Sequence, residues 1–142
     1  MRFLLDTDHI SVLQKQSGPK YGALIARIAQ VPRDDLAFCL VSFHEQVLGC
    51  HTYIAKAKTS AAVVRGYEMF DKVLSAFAAA PVLPFDTKAS VVFDDLRARR
   101  VRIATMDLRI ASIALSLRLK LLTCNLRDFA KVPGLDIEDW TT

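Results

Sequence analysis

The chain has 142 residues, 52% of them hydrophobic, which supports one folded domain over 1–142 and excludes a disordered protein. Nineteen Lys and Arg against 15 Asp and Glu give a net charge of +4, which permits a polyanionic partner without requiring one. Three cysteines without a CxxC pair argue against a disulfide framework or zinc, and the longest nearly apolar run, Ala76–Phe85, is too short for a membrane span.

Met1–Leu5 is mostly apolar and ends on Asp6, Thr7 and Asp8. It reads as a buried strand, Arg2–Asp6, with carboxylates at its carboxyl end, where ligands bind in an open α/β sheet. The acids interrupt the run too early for a signal peptide, so a cytoplasmic protein is expected. A short helix follows over His9–Gln16, capped by Thr7 or Asp8 and ended by Gly18-Pro19. Tyr21–Val31 is helical, with Tyr21, Leu24, Ile25 and Ile28 on one face. Leu36–Val41 is the second strand, and Ser42 opens a helix through about Lys58. Thr59 or Ser60 caps Ala61–Ala80, whose inner stripe is Val64, Met69, Phe70, Val73, Leu74 and Phe77. Pro81–Phe85 is a short third strand, and Asp86 or Thr87 caps a helix through Arg100. Thr105 caps Met106–Leu119, Lys120–Cys124 is expected to be a central strand, and Asn125–Asp128 is a loop. Phe129–Val132 forms a turn of helix, and Leu135–Ile137 an edge strand. The alternation predicts an α/β fold with a mainly parallel sheet covered on both sides. The long helical pair between the second and third strands suits a partner surface. Cys39, Cys50 and Cys124 read as reduced, buried thiols.

Four acids fall at element ends on this map: Asp6, Glu45, Asp107 and Asp128, separated by 39, 62 and 21 residues. Strand ends and the following helix starts share one edge of a parallel sheet, so folding can gather them. Each acid also has a structural explanation of its own. Asp6 could start a turn, and Asp8 is read as a helix cap. Glu45 three residues after Ser42 makes a capping box, Asp107 complements a helix dipole, and Asp128 suits a solvated loop. Asp34, Asp35, Asp94, Asp95, Glu138 and Asp139 read as solvated. Clustered carboxylates repel, and an oxygen-loving divalent cation such as Mg²⁺ or Mn²⁺ relieves that repulsion. Arg97, Arg99, Arg100, Arg102 and Arg109 flank Asp107 in sequence and suit gripping a polyanion, although a solvated helix face explains any one of them.

Four segments carry a family resemblance: Leu4–Ser11, Val41–Gly49, Met106–Ala114, and Leu121–Phe129 with its continuation through Val132–Leu135 and Glu138–Trp140. In this order and at this chain length the sequence resembles the PIN-domain ribonucleases, specifically VapC-like toxins of toxin–antitoxin pairs. The resemblance implies a three-layer α/β/α sandwich with Mg²⁺ or Mn²⁺ held by Asp6, Glu45, Asp107 and a fourth residue. Asp128 is carried over as that fourth ligand, with Asn125 the second candidate. Position 8, often Asn in the family, is Asp here, and Ser42 and Thr105 are expected to support the ligands with their hydroxyls. It implies metal-assisted hydrolysis of RNA leaving a 5′-phosphate; of the basic residues beside Asp107 in sequence, Arg100, Arg102 and Arg109 are the expected substrate contacts. A cognate VapB-like antitoxin that blocks the acidic pocket with Arg or Lys, and a homodimer, complete the expectation; no membrane is involved.

Three other patterns compete with this reading. His44-Glu45 begins an HExxH motif, but Leu48 occupies the place of its second histidine, and packing suffices for His44, Cys50 and His51. Asp6-Thr7-Asp8 resembles the start of haloacid-dehalogenase-type phosphatases, with Asp6 as nucleophile and Asp8 as general acid, although His9 stands where Gly is usual. A degenerate PIN-like domain that only binds a partner is the third.

Overall fold

The computed structural model describes residues 1–142. In chain order the elements are β1 (Phe3–Leu5), α1 (Thr7–Lys15), α2 (Pro19–Ile28), β2 (Leu36–Cys39), α3 (Leu40–Lys56), α4 (Ser60–Ala78), β3 (Val82–Leu83), α5 (Thr87–Ala98), α6 (Thr105–Leu117), β4 (Lys120–Leu122), α7 (Leu126–Phe129) and β5 (Ile137–Glu138). All strand pairs are parallel, in the order β3-β2-β1-β4-β5. Leu4 sits opposite Ala37 on one side and Leu121 on the other.

Successive strand residues point to opposite faces, so each strand feeds two cores. Leu4, Cys39 and Leu121 join Phe93, Leu96, Ile110 and Phe129 under α5 and α6. Phe3, Leu5, Phe38 and Leu122 join Ile10, Leu24, Val73, Phe77 and Trp140 on the opposite face. The result is a three-layer α/β/α sandwich. No helix is long and apolar enough to cross a membrane.

Several expectations shift by a few residues, with consequences for the site. β1, not the Lys120 strand, is in the middle; β4 is interior, between β1 and β5. The first cap is Asp6, whose side chain accepts from the Thr7 amide, and not Thr7 or Asp8. Helix α3 starts at Leu40 with no side-chain cap, so Ser42 lies inside its first turn and no Ser42–Glu45 capping box forms. Likewise Thr105 is the first residue of α6 and not its cap. Asp128 lies in α7 instead of a loop. The expected inner stripe of α4 holds at Val73 and Phe77, whereas Val64 and Leu74 are exposed. That helix packs mainly on α3, through a close approach at Gly66, where a Cβ would lie 2.3 Å from Ile54 Cγ1.

Leu4 is fully buried in the middle strand. Leu4→Ala should therefore lower the unfolding free energy by about 2–5 kcal/mol in urea titration, while Val64→Ala should change it by less than about 0.5 kcal/mol. Equal small effects would contradict this placement of the core.

Candidate functional site

Strand order reverses between β1 and β4: the chain winds outward through β2 and β3 on one side and through β4 and β5 on the other. Such a switch point opens a crevice outside the strands' carboxyl ends. Asp6 stands there. Its amide donates to Leu122 O at 2.9 Å, prolonging the β1–β4 ladder by one bond. Its Oδ1 accepts from the Thr7 amide at 2.8 Å, and its Oδ2 from Thr123 Oγ1 at 2.8 Å. The side chain is thus immobilised by the start of α1 and the end of β4, and only 5% of the residue is exposed.

Glu45 reaches the same edge from the first turns of α3. Thr7 Oγ1 lies 2.8 Å from Glu45 Oε1 and 2.9 Å from the fully buried Ser42 Oγ. A hydroxyl has one proton, so Thr7 donates to the carboxylate and accepts from Ser42. Ser42 therefore supports a site carboxylate, as expected, through Thr7. Thr105, by contrast, is exposed and makes no hydrogen bond to a site carboxylate.

Asp107 enters from the first turn of α6 and Asp128 from α7. Asn125 Nδ2 donates to Asp128 Oδ2 at 3.1 Å, and Lys131 Nζ lies 3.6 Å from Asp128 Oδ1. Asn125 accordingly orients Asp128.

The electrostatics bind these acids into one group. Burial, then the Asp8 carboxylate, push the Asp6 carboxyl up to about 7, against the hydrogen bonds from Thr123 and the Thr7 amide; Asp107 adds a smaller push. Partial burial, then Glu45, Asp128 and Asp8, raise Asp107 to about 6. Asp128 is held below the ordinary carboxylate range, chiefly by Asn125. None of Asp6, Glu45 and Asp107 forms an ion pair with a lysine or arginine. The four acids found at element ends in the sequence thus meet at one edge, and three of them meet without a cationic side chain. Two carboxyls that resist ionisation because of burial and neighbouring carboxylates fit a divalent cation among them, since added positive charge opposes both causes of the shift.

Asp8 has a different task. Its Oδ1 lies 2.8 Å from His9 Nδ1, and its Oδ2 accepts from the Cys124 amide at 2.9 Å. Burial alone would raise its carboxyl, but the bonds from His9, Cys124 and Thr123 hold it below the usual range. It ties α1 to the turn after β4 and does not cap the helix.

His9 is a residue the sequence reading passed over. It is fully buried, and its Nε2 accepts from the Trp140 amide at 3.2 Å. That bond leaves the proton on Nδ1, facing Asp8. Asp8, His9 and Cys124 present ligand atoms within 4.8 Å of one another. Both His9 nitrogens are engaged, however, so this trio braces the C-terminal segment against β4. The only trace in the sequence was a histidine beside an acid. Asp139 and Glu138, expected to be solvated, are also part of this brace. Asp139 Oδ1 accepts from the Thr141 amide at 2.8 Å, and Glu138 is held to about 2 by Lys120 and Arg27. Cys39 and Cys50 are buried as expected, and Cys124 is half-buried after β4.

The three arginines expected to act together separate. Arg100 and Arg102 line a cavity between α5 and α6, whereas Arg109 lines a neighbouring cleft with Leu40, Val41, His44 and Phe85.

Comparison with known proteins adds an independent observation. No protein-family model matches the chain. Over 63 residues it is 41% identical to the tRNA(fMet)-specific endonuclease VapC of Salmonella typhimurium strain LT2, a match covering 42% of this chain and 48% of that protein. The chain thus spans about half the length of the curated relative it matches. Its fold superposes on VapBC-1 from nontypeable Haemophilus influenzae with a TM-score of 0.77 at 23% identity, over 100% of both chains. DNA-bound VapBC from Salmonella typhimurium gives a TM-score of 0.75 at 25% identity, over 99% of this chain and 98% of that one.

The raised carboxyls make a stability prediction. The folded protein keeps protons on Asp6 and Asp107 up to about 7 and about 6, whereas the unfolded chain releases them near 3.8. This contribution is full below that lower value and is lost as pH rises through the upper ones. Metal-free protein should therefore lose melting temperature between about pH 4 and 7. Asp6→Asn, which keeps a capping oxygen, should flatten the profile and melt higher at neutral pH. A wild-type melting temperature that climbs across this range would contradict it.

The whole-chain likeness shows that the chain has the fold of these VapBC structures, and over 63 residues it is similar to the Salmonella endonuclease.

Proposed function

We propose that the chain, acting as one domain, is a metal-dependent endoribonuclease and the toxin of a toxin–antitoxin pair. The observation that carries this reading is the gathering of Asp6, Glu45 and Asp107 at one sheet edge without an ion pair to lysine or arginine, where burial and neighbouring carboxylates raise Asp6 and Asp107 to about 7 and about 6. The Salmonella relative named as a tRNA-specific endonuclease supports RNA as the substrate class. The structural relatives named VapBC support a VapB-like antitoxin as partner. Leu48, Tyr53, Val64, Tyr67 and Leu74, all exposed on α3 and α4, offer the apolar surface that such a partner or a second copy would cover. A toxin acting on cellular RNA belongs in the cytoplasm.

Asp6 and Asp107 would hold Mg²⁺ or Mn²⁺, with Glu45 and Asp128 completing the set and Asn125 turning Asp128 toward it. Bound there, the cation would neutralise the phosphate and lower the pKa of a coordinated water. Asp6 is fixed by Thr7 and Thr123, so it meets substrate without reorganisation. Glu45 keeps one oxygen on Thr7 and has the other free to orient the water. In-line addition of water across a phosphodiester breaks the bond to the 3′ oxygen, leaving a 5′-phosphate and a 3′-hydroxyl.

The phosphatase alternative requires Asp6 as a free nucleophile and Asp8 as a proton donor. Asp8 is held below the usual range, the opposite of what a general acid needs. A trapped phospho-Asp6 would reverse this preference. The binding-only alternative leaves unexplained why three carboxylates are gathered without a cationic partner.

Purified protein should cleave total RNA with Mg²⁺ and lose that activity with EDTA or as Asp6→Asn; equal activity in all three samples would reject the mechanism. Thr123→Val, which removes the donor to Asp6, should cost about 10–100-fold in metal affinity or rate. In cells, expression without a partner should arrest growth, and Asp107→Asn should relieve the arrest. Toxicity unchanged by that substitution would count against the site.

A further inference from the structure

Between α5 and α6 lies a cavity of about 420 Å³, lined by Phe93, Arg97, Arg100, Arg102, Thr105 and Leu108, with Val101 and Ile103 in its wall. Val101 and Ile103 pack on the core, while Arg100 and Arg102, which alternate with them, are exposed. The cavity thus has an apolar floor and a guanidinium rim. Arg97 lies over the Phe93 ring from one side, 5.7 Å to the centroid, and Arg109 lies over it at 5.8 Å. None of Arg97, Arg100, Arg102 and Arg109 has a carboxylate partner, whereas neighbouring Arg99 pairs with Asp95 at 3.4 Å.

Arg100 is placed there against the backbone's preference. The Val101 amide bonds Leu96 O at 3.1 Å and the Arg100 amide bonds Arg97 O at 3.0 Å, closing α5 in a Schellman turn. Its left-handed residue is Arg100, at φ 61°, where glycine is the ordinary occupant. Gln16 and Arg118 take the same conformation at the ends of α1 and α6, so the turn fixes the position of Arg100 and does not by itself mark a binding residue.

Thr105 of this wall is two residues before Asp107, in the same first turn of α6. The cavity wall and Asp107 thus share the first turn of α6. We infer that this cavity is a subsite for the backbone of single-stranded RNA next to the scissile nucleotide: the rim arginines take phosphates and the apolar floor takes the face of a sugar or base. Guanidinium forks match phosphate oxygens two at a time, and an apolar floor suits the stacking by which unpaired nucleotides are held. The inference rests on the ribonuclease reading for its choice of polyanion.

The test measures binding of a single-stranded RNA oligonucleotide by fluorescence anisotropy in the Asp6→Asn background, with and without Arg100→Gly and Arg102→Ala. The double arginine variant should bind at least tenfold more weakly, with a log–log salt slope shallower by about 1.4, two contacts at about 0.7 each. Arg100→Gly alone should melt no lower than its parent, because it relaxes the turn, yet bind RNA severalfold more weakly. Unchanged affinity and slope would overturn the subsite, as would weaker binding accompanied by a lower melting temperature for Arg100→Gly. Failure of the underlying reading is separate: wild-type protein with Mg²⁺ would then leave RNA intact, whatever the arginine variants bind.

Discussion

The hydrogen bonds that join the end of β1 to the end of β4 hold the rest of the site in place. Asp6 gives its amide to Leu122 and takes the Thr123 hydroxyl, so one residue both extends the sheet and anchors a carboxylate. Parallel pairing of β1 with both β2 and β4 then brings α3 and α6 to the same edge, and with them Glu45 and Asp107. The architecture does not tolerate much slippage here. A shift of one residue in β1 would exchange Leu4 with its neighbours between the two cores and turn Asp6 away from the crevice.

This placement creates an electrostatic conflict. The Asp6 carboxylate is almost fully buried, and the helix that follows supplies a single capping amide, not a counter-charge. The cations that do pair, pair with other acids: Arg27 and Lys120 with Glu138, Arg99 with Asp95, Arg2 with Asp35. Asp8 is relieved by His9 and the Cys124 amide, and Asp128 by Asn125 and Lys131, but Asp6 and Asp107 are left raised. A cluster that costs stability when empty of positive charge gains most from a cation, and the same charge serves phosphodiester hydrolysis. Function and instability share one cause.

Much of this was legible in the sequence because the signals are local. Uninterrupted Phe3-Leu4-Leu5 marks a strand buried on both faces, and acids after strands or at helix starts fall on one edge of any parallel sheet. The errors came from assigning each polar residue to its nearest backbone. Ser42 and Glu45 have the spacing of a capping box, yet α3 begins two residues earlier and both side chains turn to Thr7, a partner 35 and 38 positions away. Asp8 resembles a cap but bonds the turn after β4, 116 residues on. His9, Thr123 and Asp139 were likewise invisible, since their partners are set by tertiary packing. The α4 stripe was over-read because exposed Val64, Met69 and Leu74 obey helical periodicity without facing a core.

The central claim is that Asp6 and Asp107 are held above the ordinary carboxylate range by burial and by neighbouring carboxylates, and are released by a divalent cation. Carbon-13 NMR titration of the aspartate side-chain carboxyls tests it directly. In metal-free protein the Asp6 carboxyl should titrate at about 7 and that of Asp107 at about 6. With saturating Mg²⁺ both should fall below the ordinary aspartate value. Two carboxyls that titrate in the ordinary range without metal, and do not move when Mg²⁺ is added, would contradict the account.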